Sequence, residues 1–199
     1  MPEYKAPLRD IRFVIDEVLD SGAVYQSLPG YEEATPDLMS AIIEEGAKFA
    51  EGVLSPLNQS GDEEGCTWSE DGVKTPAGFP EAYRQFVENG WPSLSADPEF
   101  GGQGMPNMLG IVINEMVGTA NWSWLMYPGL SHGCIKTLEA HGSDDQKARY
   151  LPKLIAGEWT GTMCLTESQC GSDLGLLRTK AEPQADGSYA ITGTKIFIS

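Results

Sequence analysis

Hydroxyl, carboxylate and glycine residues follow one another closely in the segment LTESQCGSD, residues 165–173. Its polar side chains include those of Thr166, Glu167, Ser172 and Asp173. Small and hydroxylated residues let the backbone approach a flat ring, and their N–H and O–H groups can bond the heteroatoms of that ring. Gly171 would allow backbone conformations that are closed to other residues. The same residue types are common in turns that satisfy their own hydrogen bonds, so the segment predicts either a binding loop or a turn.

Composition and charge exclude several classes of partner. The chain has 199 residues, of which 41% are hydrophobic and 21% charged, values typical of a globular protein with a core of its own. Its formal net charge is -16. This predicts no nucleic-acid partner and no anionic membrane surface, because both bind clustered cations. A phosphate-bearing small molecule stays possible, since main-chain N–H groups can hold one locally.

The cysteine and histidine pattern predicts no metal site. The four cysteines, Cys66, Cys134, Cys164 and Cys170, form no C-x-x-C pair, and the chain has two histidines. The amino-terminal sequence is charged and lacks an apolar signal region, and no apolar run reaches about 18 residues. We therefore expect a cytoplasmic protein with free thiols and no membrane span.

Helical periodicity dominates the sequence up to about residue 157. It predicts an amphipathic helix over 8–19, and a second helix that has Thr35 as its N-cap and Pro36 at its first position. The predicted buried positions of these two helices are Leu8, Ile11, Ile15 and Val18, and Leu38, Ile42, Phe49 and Val53. The polar, glycine-bearing segment over 55–75 is predicted to be a surface loop.

Further helical and apolar segments follow before the pattern changes. Residues 79–87 have helical spacing, and residues 107–120 are apolar almost all round, which is typical of a buried helix. A further apolar, aromatic-rich segment covers residues 122–138. Ser143 and Gln146 have the spacing of a capping box and predict the start of another helix.

Strand patterns begin near residue 158. Short strands are predicted over 160–165, 177–181 and 188–199, and Asp186-Gly187 between the last two is a hairpin signal. The fold class is therefore predicted to be α+β, with an all-α helical domain followed by the beginning of a β domain. The strand-like run that ends at Ser199 leads us to expect a fragment, or a sheet completed by partner surface.

The segment CLTESQCGSD, residues 164–173, resembles the flavin signature of the acyl-CoA dehydrogenase family. PEFGGQGMP (98–106) resembles a Pro-Glu-x-Gly-Gly loop of that family, and GSDDQKARYLPKLIAGE (142–158) resembles the helix before the flavin loop. ITGTKIFIS (191–199) resembles the strand that follows it. Two residues depart from the usual pattern: Cys170 stands where the family usually has Gly, Ser, Ala or Asn, and Leu176 stands where a small residue is commoner.

The resemblance implies a division into three regions. Residues 1–35 resemble an amino-terminal helical extension found in one bacterial branch of the family. Residues 36–157 would form the α-helical N-terminal domain, and residues 158–199 the incomplete start of the middle β domain. On this basis the parent protein is an FAD-dependent oxidoreductase of fatty acid metabolism, and the isolated chain is expected to be inactive and to bind FAD weakly or not at all.

The resemblance also implies a set of cofactor contacts. Carried over by position, the residues along the flavin would be Met163, Leu165, Thr166, Ser172, Phe197 and Ser199. Thr166 would bond the pyrimidine edge of the ring, and Ser172 would bind the cofactor or the pantetheine arm of an acyl-CoA substrate. Phe197 stands where the family usually has Trp against the ring, although aromatic strand residues more often belong to a core.

In the family, a glutamate removes the proton α to the thioester carbonyl, and a hydride passes from Cβ to flavin N5. That base is expected in a C-terminal domain that this chain does not contain, so the sequence nominates no catalytic residue. Glu167 is interpreted as structural, Glu99 as part of a loop surface and Glu115 as a buried helix contact. The implied partners are an acyl-CoA substrate, electron-transferring flavoprotein and further copies of the parent, as a dimer or tetramer.

Two other functions remain open from the sequence. An acyl-CoA oxidase or flavin monooxygenase relative would keep the fold and pass electrons to oxygen. A non-catalytic acyl-CoA-binding or interaction module would use the same helices without chemistry. The acyl chain length and head group are not determined by these residues.

Overall fold

The computed structural model describes residues 3–198 and divides the chain into two compact units. The first, called the helical unit here, extends to Gly161, and the second, called the loop–hairpin unit, begins at Thr162. Helices make up most of the first unit, and the second combines an irregular loop with a β-hairpin. The predicted α+β fold class is confirmed.

The helical unit contains eight α-helices and one small hairpin among the described residues. Their bounds are α1 Leu8–Arg12, α2 Ser21–Gln26, α3 Pro36–Phe49, α4 Ser55–Glu64, β1 Thr67–Ser69, β2 Gly72–Lys74, α5 Phe79–Glu88, α6 Asn107–Ala120, α7 Trp122–His141 and α8 Asp144–Ile155. A π-helical turn, Phe13–Val18, extends α1, and another, Ala50–Leu54, joins α3 to α4. Two short 3-10 turns, Trp91–Ser93 and Pro98–Phe100, precede α6.

Apolar packing between consecutive long helices forms the core of this unit. Helix α3 packs on α6, α6 packs on α7, and α7 packs on α8. The largest fully buried side chains include Met39, Ile43, Leu54, Leu109 and Met116. Burying side chains of this size stabilises a fold by about 1.5–3 kcal/mol each relative to leaving them exposed. The core is therefore built by residues from segments far apart in the sequence.

The predicted buried faces of the first helices are partly wrong. Leu38 is 40% exposed, whereas its neighbour Met39 is 1% exposed. Val18 is 60% exposed, although Ile15 on the same helix is buried. Leu38 and Met39 are adjacent apolar residues, so helical spacing alone could not choose between them. Packing of α3 on α6 decides which side of α3 is covered.

The predicted surface loop over 55–75 is also wrong. Helix α4 occupies its first half, and the antiparallel strands β1 and β2 form a hairpin in the second half. In the π turn before α4, the Ser55 N–H donates to the Ala50 carbonyl five residues earlier. Leu54 is fully buried and Leu57 packs against the core, so tertiary contacts maintain a helix that the polar composition disfavours.

Both predicted helix starts are confirmed. The Thr35 hydroxyl accepts a hydrogen bond from the Leu38 N–H at 3.3 Å. The Ser143 hydroxyl accepts from the Gln146 N–H at 3.3 Å, and the Gln146 side chain accepts from the Ser143 N–H at 2.9 Å. These bonds satisfy N–H groups that a helix start otherwise leaves without a partner.

The loop–hairpin unit has two regular strands among its described residues. β3, Lys180–Pro183, pairs antiparallel with β4, Tyr189–Thr192, and the turn between them contains the predicted Asp186-Gly187 pair. Gly187 has φ +83°, the left-handed conformation that such turns require. The strand predicted over 160–165 is absent from the described structure, and Lys195–Ile198 also has no regular strand pairing. A regular strand needs a continuous ladder of main-chain bonds with a neighbour, and the single main-chain bond between Ile196 and Thr166 does not make one.

No helix within residues 3–198 is long and apolar enough to cross a membrane.

Candidate functional site

Glu167 lies at the centre of the loop–hairpin unit. It is 4% exposed, although carboxylates are rarely buried unless they are paired. The Glu167 N–H donates to the Cys170 carbonyl at 2.8 Å, and the Cys170 N–H donates back at 3.1 Å. These two bonds close a tight turn, Glu167–Cys170, which directs the Glu167 side chain into the unit.

Five donors from four residues bond the Glu167 carboxylate. Oε1 accepts from the Thr179 hydroxyl at 2.6 Å, the Thr179 N–H at 3.0 Å and Lys195 Nζ at 2.9 Å. Oε2 accepts from Gln169 Nε2 at 2.6 Å and the Arg178 N–H at 2.8 Å. Glu167 and these four residues are called the Glu167 cluster below. A carboxylate has about four acceptor sites, so this one has no capacity left for another ligand.

The cluster fixes the protonation state of Glu167. Hydrogen bonds from Thr179 and Lys195 hold the pKa of this carboxyl well below its ordinary value, with further help from the N–H groups of Arg178 and Thr179. Hydrogen bonds to the charged form favour that form, and here they outweigh the opposing effect of burial. Glu167 is therefore an ionised structural acceptor and a poor proton-abstracting base.

Two further bonds join the loop to the segment after β4. Lys195 Nζ donates to the Leu165 carbonyl at 2.9 Å as well as to Glu167, and the Ile196 N–H donates to the Thr166 carbonyl at 2.9 Å. The main chain at 165–166 therefore lies directly beside residues 195–196. The sequence separation between the two segments is about thirty residues, so only the folded unit brings them together.

The structure places the predicted site residues around this junction with different degrees of exposure. Thr166 and Leu165 are half-buried, and Met163 is 57% exposed. Ser172, two residues after the Glu167–Cys170 turn, is exposed. Phe197 is 85% exposed and has φ +56°, which is rare for a bulky residue. Ser199 lies outside the described residues.

The same loop leaves several donors free. Within residues 3–198, the hydroxyls of Thr166 and Ser172 form no hydrogen bond, and neither do the main-chain N–H groups of Met163 and Leu165. The Leu165 and Thr166 carbonyls, in contrast, are bonded. The donors that remain free and accessible match the polar edge of a flat heteroaromatic ring, so the residues present fit such a group.

Gly171 acts through close approach, and the expected unusual backbone conformation is not found. Its φ lies outside the left-handed region. A Cβ placed on Gly171 would lie 3.2 Å from Thr166 Cγ2 and 3.5 Å from Thr166 Oγ1. The glycine therefore leaves room for the Thr166 side chain, which a larger residue would crowd.

The sequence did not identify the donors to Glu167. Thr179 and Lys195 lie 12 and 28 residues after it, and no spacing rule links these positions. Only Gln169 is close in sequence. The one sequence signal for these donors was Glu167 itself. A buried carboxylate needs hydrogen-bond donors, so a glutamate in a loop of small residues indicates that donors lie nearby if the loop is buried.

A cleft in the helical unit is mainly apolar. Its lining includes Tyr83, Phe86, Pro128, His132 and Ile135. Burial and the neighbouring Lys136 lower the pKa of His132, so its ring is neutral at neutral pH. The cleft therefore suits an apolar group better than an anion. Among the described residues, no group of three or more His, Cys, Asp or Glu side chains is arranged to hold a metal ion.

Solved structures of known proteins share this fold. Butyryl-CoA dehydrogenase from Megasphaera elsdenii matches with a TM-score of 0.69 at 22% identity, over 81% of this chain and 40% of that one. An acyl-CoA dehydrogenase from Bacillus anthracis, in complex with FAD, matches with a TM-score of 0.65 at 23% identity, over 83% of this chain and 27% of that one.

Sequence comparison gives a more specific relationship. The chain is 46% identical over 196 residues to 3-methylmercaptopropionyl-CoA dehydrogenase from Ruegeria pomeroyi, an alignment that covers 98% of this chain and 33% of that protein. The chain thus spans about a third of the length of that relative. The family model described as "Acyl-CoA dehydrogenase, N-terminal domain" matches residues 39–158. That match covers more than half of the sequence, and the chain therefore belongs to the acyl-CoA dehydrogenase family.

Proposed function

We propose that this chain is part of an FAD-dependent acyl-CoA dehydrogenase that introduces an α,β double bond into an acyl-CoA thioester. Family membership supports the general reaction. The observation that carries the proposal to this site is the set of free donors at Met163, Leu165, Thr166 and Ser172, held beside a fully bonded Glu167. The predicted domain boundaries at residues 35 and 157 form part of the same proposal.

The free donors would hold FAD by its polar ring edge. The Thr166 hydroxyl and the N–H groups of Met163 and Leu165 would donate to ring heteroatoms, and Ser172 would bind the cofactor or the pantetheine arm of the substrate. Phe197 and Ser199 are proposed as further ring contacts. When bound, FAD supplies the redox chemistry by accepting a hydride from the substrate Cβ, and the protein positions it.

No residue of this chain is proposed as the catalytic base. Glu167 is excluded by its burial and its five donors. Glu115 is exposed on α6, contrary to the buried contact expected from the sequence, and Glu99 is exposed in a 3-10 turn that Asp97 caps. The base is proposed to lie outside these 199 residues, and electron-transferring flavoprotein is proposed as the electron acceptor.

The substrate class is proposed from the relative. The 46% identity to a 3-methylmercaptopropionyl-CoA dehydrogenase makes short acyl-CoA thioesters, with or without a thioether, the first candidates. The complete product of the gene should be purified and its visible spectrum recorded under anaerobic conditions. We expect a flavin spectrum that bleaches on addition of 3-methylmercaptopropionyl-CoA or butyryl-CoA.

Matched variants make this test specific to the site. Thr166→Val removes a free donor at the proposed ring edge and should weaken FAD binding at least tenfold. Ser168→Ala, in the adjoining turn, is the control and should leave binding unchanged. A complete protein that contains no flavin, or a Thr166→Val variant that binds FAD like the original, would contradict the proposed function. Rapid reduction of oxygen by the reduced protein would favour the oxidase alternative.

A further inference from the structure

The Glu167 cluster joins three separate stretches of main chain. Glu167 belongs to the loop, Arg178 and Thr179 immediately precede β3, and Lys195 follows β4. Among the described residues of this unit, Glu167 and Cys170 are the buried ones, and both strands of the hairpin are exposed along their whole length. The connection between the stretches therefore depends on polar contacts rather than on an apolar core.

The bonds of Glu167 also connect it to Leu165 and Thr166, two of the proposed cofactor contacts. Lys195 Nζ links Glu167 Oε1 to the Leu165 carbonyl, at 2.9 Å in both cases. The next residue, Ile196, donates its N–H to the Thr166 carbonyl. The carbonyls of Leu165 and Thr166 are therefore both bonded within the unit. The Leu165 N–H and the Thr166 hydroxyl have no partner within residues 3–198 and stay available to a ligand. Phe197 follows directly after this junction.

We propose that Glu167 is a positioning residue, which holds the Leu165–Thr166 peptide against Lys195–Ile196 so that Thr166 presents its hydroxyl to the cofactor. This inference rests on the proposed function and adds a role for a residue that does not itself touch the ring. Glu167 acts through Lys195 and Thr179, and both donors bond the same oxygen.

The burial of the pair determines how the variants should be chosen. Glu167 is 4% exposed and the Lys195 side chain is 19% exposed. Removing one charge from a buried pair leaves the other without compensation, which can destabilise a protein for reasons unrelated to positioning. We therefore pair Glu167→Gln with the double variant Glu167→Gln/Lys195→Met, which removes both charges. Thr179→Val removes one donor and keeps the charges. Glu182→Gln, at an exposed position of β3, is the matched control.

The first measurement needs no cofactor. Amide hydrogen exchange in the 199-residue chain reports directly on the Ile196 N–H, which bonds the Thr166 carbonyl. We expect Glu167→Gln and the double variant to raise its exchange rate at least tenfold, and Thr179→Val to raise it by a smaller factor. Amides in α6 should keep their protection in all variants, and Glu182→Gln should match the original chain. An unchanged Ile196 rate in Glu167→Gln would overturn the proposal.

The second measurement uses the complete gene product and its flavin. We expect the double variant to bind FAD at least tenfold more weakly and to shift the visible flavin absorption, while its helical unit unfolds at the original temperature. Rapid Ile196 exchange combined with unaltered FAD affinity and spectrum would overturn the positioning role.

A third outcome separates this inference from the proposed function. If the original complete protein binds no FAD, the proposed function fails; rapid Ile196 exchange in the variants would still support the control of the main chain by Glu167.

Discussion

The two units of this chain are stabilised in different ways. The helical unit buries large apolar side chains such as Met39, Leu109 and Met116, whereas the described residues of the loop–hairpin unit bury a carboxylate and a cysteine. Apolar burial is non-directional and tolerates repacking. A hydrogen-bonded carboxylate requires each donor at a defined place. The comparison indicates that the site-bearing unit gains precise backbone placement from polar contacts, with little apolar burial among its described residues.

The largest effect is expected in the apolar core. Leu109→Ala should lower the free energy of unfolding of the helical unit by about 2–5 kcal/mol, because Leu109 is fully buried in α6 and its truncation leaves a cavity. Urea denaturation followed by far-UV circular dichroism measures this change. Ile111→Ala is the control, since Ile111 lies on the same helix and is 62% exposed. Equal losses for both variants would contradict the packing described here.

A moderate effect is expected from crowding in the polar unit. A Cβ on Gly193 would lie 2.1 Å from Thr179 Oγ1 and 2.7 Å from Thr179 Cβ. Gly193→Ala should therefore displace Thr179 from Glu167 and destabilise the loop–hairpin unit by about 1–3 kcal/mol. Amide exchange at Thr179, whose N–H donates to Glu167, measures the loss. The neighbouring change Thr194→Ala should have little effect, and normal protection in Gly193→Ala would refute the close contact.

The smallest effect is expected from mild acid. The pKa of Glu167 is lower in the folded state, so its contribution to stability is present above the unfolded-state value of about 4.3 and is lost as the pH falls further, through the folded value. Lowering the pH from 7 to 5 should therefore leave the Ile196 N–H protected, after correction for the intrinsic exchange rate.

Carbon-13 NMR of the glutamate carboxyls provides the direct check on that expectation. The Glu167 signal should keep the shift of an ionised group at about pH 4.3, the ordinary pKa of a glutamate side chain. A Glu167 signal that titrates around that pH would show that the cluster does not hold the carboxylate ionised.

Local signals in the sequence predicted much of the framework. Ser143 and Gln146 marked the start of α8, and Asp186-Gly187 marked the hairpin, because caps and tight turns depend on residues only a few positions apart. The same reasoning failed for α4, where polar composition suggested a loop and contacts by Leu54 and Leu57 maintain a helix. It also failed at Leu38 and Met39, where two adjacent apolar residues compete for one buried face.

The candidate site shows the same division. The sequence alone determined which hydroxyls and N–H groups the loop carries, and the motif that contains them predicted the family. Only the tertiary structure decided that Glu167 is buried, that Thr179 and Lys195 bond it, and that Ile196 lies against Thr166. The reason is physical: residue type fixes what a group can donate or accept, whereas contacts across 12 to 30 residues depend on how the whole unit folds.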